Sequence, residues 1–162
     1  MCIRDRAETA RLGNEALDVL EAEGVAPDHV IVGHTDGPEP DLDYFESILQ
    51  RGATLQFDFF GATWRNDDLS DHLGHWFPPP ASDEEVTAAV RELVRRGWSR
   101  QLLLSHDACT KLQMTRYGGY GYGHVLRTIV PQLRWQGVSE DDLELLTGGN
   151  ARRIVRWREP GE

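Results

Sequence analysis

The sequence predicts an α/β fold of parallel strands joined by helices, and three observations carry that expectation. Val30-Ile31-Val32 and Leu102-Leu103-Leu104 are short apolar runs without polar alternation, the pattern of strands covered on both faces. Segments with apolar residues at helical spacing separate them, giving the order α, β, α, β, α, β, α, which implies right-handed helical crossovers between parallel strands. Both apolar runs also stop on an imidazole and a carboxylate, at the strand end where proteins of this class hold ligands. Three strands do not close a barrel. A (β/α)8 barrel takes roughly 250 residues, so a chain of 162 residues could supply less than half of one.

Each element has a local reason. From Ala7 to Glu23, Leu12, Ala16, Leu17 and Leu20 recur at helical spacing, and Gly24 closes the helix. After the turn at Pro27-Asp28 comes the strand Val30–Val32, then a polar loop with prolines from Thr35 to Pro40. Asp41 can cap a helix carrying Leu42, Phe45, Ile48 and Leu49, which stops near Gly52. Thr54 to Phe60 reads as the second strand, broken by Gly61. A long loop follows with Trp64, His72, His75, Trp76 and Pro78 to Pro80.

Ser82 and Glu85 form a capping-box signature for a helix that buries Val86, Ala89, Val90, Leu93 and Val94 and ends at Gly97. The leucine strand leads into a loop rich in glycine and tyrosine, read as a mobile cover over a site, and then a helix from His124 to Gln136. Ser139-Glu140 starts a last short helix, with Gly148-Gly149 expected to break it before a tail from Asn150 to Trp157.

Composition narrows the function. The chain is 40% hydrophobic and 27% charged, the balance of a globular protein. Its formal net charge of -10 argues against nucleic acid, which calls for a basic footprint. With only Cys2 and Cys109 there is no disulfide framework, and no stretch approaches the roughly 18 apolar residues of a membrane span, so a cytoplasmic protein without membrane contact is expected. Residues 1–6 lack the apolar core of a signal peptide and run into a helical pattern without a cap, so they could be non-native.

Several residues could carry chemistry. His34 could ligate a metal or cap the last carbonyl of its strand. Asp107, closing three leucines, needs a compensating partner: a metal, an arginine or a helix N-terminus would each serve. Adjacent strand residues face opposite ways, so His106 should point away from Asp107 and pack or bond backbone. Asp58 could orient a ligand from behind or hold an arginine. His72 and His75 lie in a loop where surface histidines are common, and Cys109 lacks a convincing base nearby. The glycines from Gly118 to Gly123 do not make a dinucleotide turn.

Together these residues resemble the phosphotriesterase family of the amidohydrolase superfamily, and above all its phosphotriesterase-related branch. The resemblance rests on Val32-Gly33-His34-Thr35-Asp36, Leu103-Leu104-Ser105-His106-Asp107, Thr110-Lys111, Tyr117-Gly118-Gly119-Tyr120-Gly121-Tyr122-Gly123-His124, Gly137 to Leu143 and Gly149-Asn150-Ala151-Arg152. It runs from about residue 8 to 157. It implies an incomplete (β/α)8 TIM barrel, with residues 1–162 as a single partial domain from the carboxyl-terminal portion. It further implies a hydrolase with two divalent metals, usually zinc in this family, acting on ester, lactone, amide or phosphotriester bonds of small molecules.

On this resemblance His34 would end the sixth strand and ligate the more exposed metal. Asp107 would end the eighth, ligate the more buried metal and act as general base. Asp36 could match a proton-shuttle carboxylate, and the full-length protein could pair as a homodimer. The family's His-x-His pair, bridging lysine and fifth-strand histidine have no counterpart here, and Phe59 stands where some paraoxon-hydrolysing members place histidine. Two protein ligands are too few for a tight zinc site, so the chain alone is expected to be inactive. The alternative is a non-catalytic half-barrel that binds a small molecule or self-associates.

Overall fold

A computed structural model describes residues 2–3, 11–37, 39–62 and 81–155. Its centre is a four-stranded, all-parallel sheet in sequential order: β1 (Cys2–Ile3), β2 (Ile31–Val32), β3 (Thr54–Phe57) and β4 (Leu102–Leu104). Between the strands run α1 (Gly13–Ala22), α2 (Leu42–Leu49) and α3 (Asp83–Arg95). After β4 come two short 3-10 turns and α4 (Val130–Trp135), entered through a π-helical turn at Val125–Ile129. The chain then forms α5 (Glu140–Glu144), a second π-helical turn (Leu145–Gly149) and α6 (Asn150–Ile154). No helix among the described residues is long and apolar enough to cross a membrane.

The register aligns the strand ends. Val32 pairs with Leu55, two residues before the end of β3, and Phe57 pairs with Leu104, so β3 and β4 finish level and β2 ends just short of them. Ser105 N–H then donates to the Phe57 carbonyl at 2.8 Å, carrying the pairing one step past β4. Leu17, Phe45, Ile48, Leu49, Val90 and Leu93 from the helices pack with Val32, Leu55, Phe57 and Leu102 in one core. Burial of such side chains contributes about 1.5–3 kcal/mol each, so this layer is what holds the strand ends in place.

Local chemistry explains the element boundaries. Asp41 Oδ1 accepts from Tyr44 N–H at 3.1 Å, and Ser82 and Glu85 close the expected capping box. The first helix is described from Gly13, and its expected start at Ala7 lies outside the described residues. Gly13 is glycine for space: a Cβ there would come 2.6 Å from the Tyr44 hydroxyl and 2.8 Å from Ile48 Cδ1. Gly13 N–H also donates to that hydroxyl at 2.9 Å, fastening α1 to α2.

The structure departs from the sequence expectation at both ends. The sheet has a fourth strand, Cys2–Ile3, too short to show any periodicity and visible only through its pairing with Ile31 and Val32. The second strand ends at Phe57, short of the expected Phe60, because Asp58 turns toward β2. Gly148-Gly149 does not break the last helix. The chain passes through it in a π turn because Leu143, Leu146 and Asn150 are all buried, and that packing outweighs a propensity cost of about 1 kcal/mol per glycine. Trp64, His72, His75, Trp76, Pro78 to Pro80 and Trp157 lie outside the described residues.

Asn150 shows why the closing segment folds back. Fully buried, its Nδ2 donates to the carbonyls of Ser99 at 2.7 Å and Leu102 at 2.9 Å, pinning α6 to the entrance of β4. Asn150→Ala would strand both carbonyls, so urea denaturation should show a loss of about 2 kcal/mol; an unchanged midpoint would remove this anchor from the account.

Candidate active site

The carboxyl ends of β2, β3 and β4 carry His34, Asp58 and Asp107. Both residues expected to ligate metal sit in the left-handed region: φ is 53° at His34 and 36° at Asp107. Among the described residues Arg11 is the other non-glycine with positive φ. Such conformations cost of order 1–3 kcal/mol each and persist where surrounding structure holds them, commonly at functional sites.

The His34 side is held by Asp58. One Asp58 oxygen lies 3.0 Å from His34 Nδ1, and the other accepts the His34 backbone N–H at 3.3 Å and Gln56 Nε2 at 2.8 Å. Asp58 therefore holds the histidine, not an arginine. Phe59 stacks on the imidazole with ring centroids 5.0 Å apart and planes 22° from parallel. With Nδ1 engaged by a carboxylate, Nε2 is the nitrogen through which this ring would coordinate a cation, the arrangement that orients metal-binding histidines.

Asp36 lies behind this pair. It is fully buried, and its Oδ2 accepts the Phe59 N–H at 2.7 Å. Oδ1 has no hydrogen-bond partner among the described residues. Burial, and then the Asp58 carboxylate, push the Asp36 carboxyl up from 3.8 to about 8. Through that bond it braces the Asp58-Phe59 peptide.

On the β4 side, Gln113 builds the loop that follows Asp107. It is buried, and its Nε2 donates to the Asp107 carbonyl at 3.2 Å while its Oε1 accepts the N–H groups of Cys109 and Thr110 at 2.9 Å. Gly121 N–H donates to the Gln113 carbonyl at 2.8 Å, and Gly119 leaves no room for a Cβ. The loop expected to be a mobile cover therefore has its own internal scaffold. Tyr117, Tyr120 and Tyr122 stand out from it, each more than half exposed.

His106 does bond backbone: its Nε2 accepts the Val125 N–H at 3.0 Å. Burial lowers its pKa, and the nearby His124 adds to the effect, which suits a neutral acceptor. The adjacent His124 is buried and meets Asp83 Oδ2 at 2.5 Å, while Asp83 Oδ1 accepts Gly61 N–H at 2.9 Å. Sequence reasoning missed this cluster. Asp83 and His124 lie 41 positions apart, and each reads locally as the ordinary start of a helix.

Among the described residues no group of three or more histidine, cysteine, aspartate or glutamate side chains could hold a metal ion. The imidazole of His34 and the carboxylate of Asp107 are donor types that suit a divalent cation, as part of a ligand set. The raised Asp36 pKa sets a pH test on metal-free chain. A carboxyl raised on folding favours the folded state at low pH, and that contribution is lost as pH rises from 3.8 through about 8. The stability of Asp36→Asn relative to the parent should therefore increase over this range in chemical denaturation; a constant difference would show that Asp36 is ionised when buried.

Known proteins resemble this chain in sequence and fold. A family model, described as the phosphotriesterase family, matches residues 3–155. An N-acetyltaurine hydrolase from Dictyostelium discoideum is 29% identical over 150 residues, covering 93% of this chain and 39% of that protein. The crystal structure of a resiniferatoxin-binding protein from Rhodobacter sphaeroides superposes with a TM-score of 0.83 at 34% identity, covering 95% of this chain and 41% of the other. The phosphotriesterase homology protein of Escherichia coli, complexed with phosphate in its active site, gives a TM-score of 0.74 at 31% identity over 88% and 44%. The chain spans about 40% of the length of these relatives, and its fold is part of their α/β barrel. It belongs to the phosphotriesterase family.

Proposed function

We propose that this chain is the carboxyl-terminal part of a cytoplasmic, binuclear, zinc-using hydrolase of small molecules that cuts ester, lactone, amide or phosphotriester bonds. The observation that carries this reading is the His34–Asp58 pair, a buried imidazole oriented by a carboxylate at a strand end, with Asp107 closing β4 on the same edge of the sheet. Its curated relatives include N-acetyltaurine hydrolases, whose named substrate is an amide, so N-acyl amines are the first substrates to try.

In this reading His34 and Asp107 would hold the metals from one side of the barrel. The metals would acidify a water and polarise the oxygen of the scissile bond. Asp58 keeps the His34 ring in one tautomer and orientation. Asp107 accepts the proton of the attacking water as general base. The remaining ligands come from a segment that this chain does not contain, so the chain alone does not turn over.

Fusion to the amino-terminal part of a family barrel tests the proposal. The 162-residue chain alone should show sub-stoichiometric zinc and no hydrolysis of an N-acyl amine, a lactone or an aryl ester. The fusion should bind zinc and hydrolyse at least one of them. Tight stoichiometric zinc with turnover by the chain alone would overturn the reading. In the active fusion, Asp107→Asn should lower kcat by about 10²–10⁴-fold, and normal rates would show that the role belongs elsewhere. Asp58→Asn should weaken zinc binding by about 10–100-fold, read by competition with a chelator.

A further inference from the structure

A hydrogen-bonded path connects the two candidate ligands without passing through the sheet. It begins where Asp58 meets the His34 ring. Three residues on, the turn closed by Ala62 N–H on the Phe59 carbonyl presents the Gly61 N–H to Asp83 Oδ1 at 2.9 Å. Asp83 Oδ2 meets His124 Nε2 at 2.5 Å. The next residue, Val125, gives its N–H to His106 at 3.0 Å, and His106 is bonded directly to Asp107 in the chain.

Each joint is tightly built. His124 is 3% exposed, and its ring centroid lies 4.3 Å from that of Tyr120. Gly61 has φ of 75°, and a Cβ there would come 2.9 Å from His124 Cδ2 and 3.2 Å from Tyr120 Cβ. The turn after β3, the start of α3 and the chain entering α4 are therefore pressed together at the end of the sheet that holds His34 and Asp107. A buried imidazole on a half-buried carboxylate is a strong, directional bond. It has no other evident task in the fold, since the capping of α3 is already done by Ser82 and Glu85.

We propose that Asp83 and His124 are positioning residues: their bond ties the Asp58–Gly61 turn to the His106–Asp107 strand end and so fixes the geometry of His34 relative to Asp107. The proposal rests on reading those two residues as the metal-side groups of the hydrolase. It adds a layer that neither ligand touches. It also gives Tyr120 a set place beside the site, because its ring rests on His124.

The test uses metal-free chain with isotope-labelled histidine and aspartate. His124→Phe keeps a ring against Tyr120 but removes the bond, Asp83→Asn removes the charge, and Gly61→Ala wedges the joint apart. In each variant the His34 ring and Asp107 carboxylate resonances should both move. Hydrogen exchange at the residue 61 amide should rise by about tenfold or more as the local structure opens more often. Leu133→Ala, a core truncation away from the path, serves as the control: it should lower overall stability and leave the His34 and Asp107 resonances in place.

Unchanged His34 and Asp107 signals in His124→Phe and Asp83→Asn would overturn the proposal. So would equal movement in Leu133→Ala, because a general loosening would then explain both. These readouts need no metal and no substrate. Absence of turnover and of zinc binding in the fused barrel would sink the hydrolase reading and leave the resonances to decide separately whether the tie exists.

Discussion

The bond between Asp58 and His34 is the interaction on which the carboxyl edge of this sheet depends. A buried carboxylate needs compensation, since an isolated charge away from water is very costly. Asp58 receives it from the His34 ring, the His34 backbone N–H and Gln56 Nε2. Meeting that demand turns the chain out of β3 at Phe57, draws the end of β2 against it and holds His34 in a left-handed conformation. Phe59 follows by stacking on the ring, and Asp36 by taking the Phe59 N–H. One electrostatic requirement thus organises several side chains around a single imidazole.

The carboxylates around that imidazole have different environments and different tasks. Asp58 is paired with a potential cation. Asp36 is fully buried next to Asp58 with one oxygen unpartnered among the described residues, and its carboxyl is pushed up to about 8. Burial is the larger cause of that rise, and the neighbouring Asp58 carboxylate adds to it. Asp107 stands apart on β4, with its loop braced by Gln113 and its neighbour His106 turned to the backbone.

The sheet is open. β1 and β4 are its outer strands, and the relatives that share this fold are more than twice as long. A barrel strand is stabilised by neighbours on both sides, and unpaired parallel edges are a liability that proteins cover or pair. The strands present bring His34, Asp58 and Asp107 to one edge of the sheet, and Asp41 and Ser82 cap two of the helices that cover it. Stability and chemistry therefore partition differently: the core needs mostly local neighbours, whereas a metal site needs donors from around the whole ring.

Much of this was legible in the sequence. The apolar runs at Val30–Val32 and Leu102–Leu104, the Asp41 and Ser82 caps and the glycine stops at Gly52 and Gly97 mark their elements because strand burial and helix capping are short-range chemistry. His34 and Asp107 stood out for the same reason, as polar endings on buried strands. What stayed hidden were relations across distance. The strand at Cys2–Ile3 exists only through pairing with β2, and Gly148-Gly149 stays helical only because Asn150 and the leucines around it are buried. The Asp83–His124 bond joins two residues that each look like a helix start. Periodicity and capping are written in neighbouring residues, so the sequence alone determined the family and the alternation of helices and strands from α1 onward. Which carboxylate meets which histidine depends on how strands and loops stack in space, and only the tertiary structure decided that.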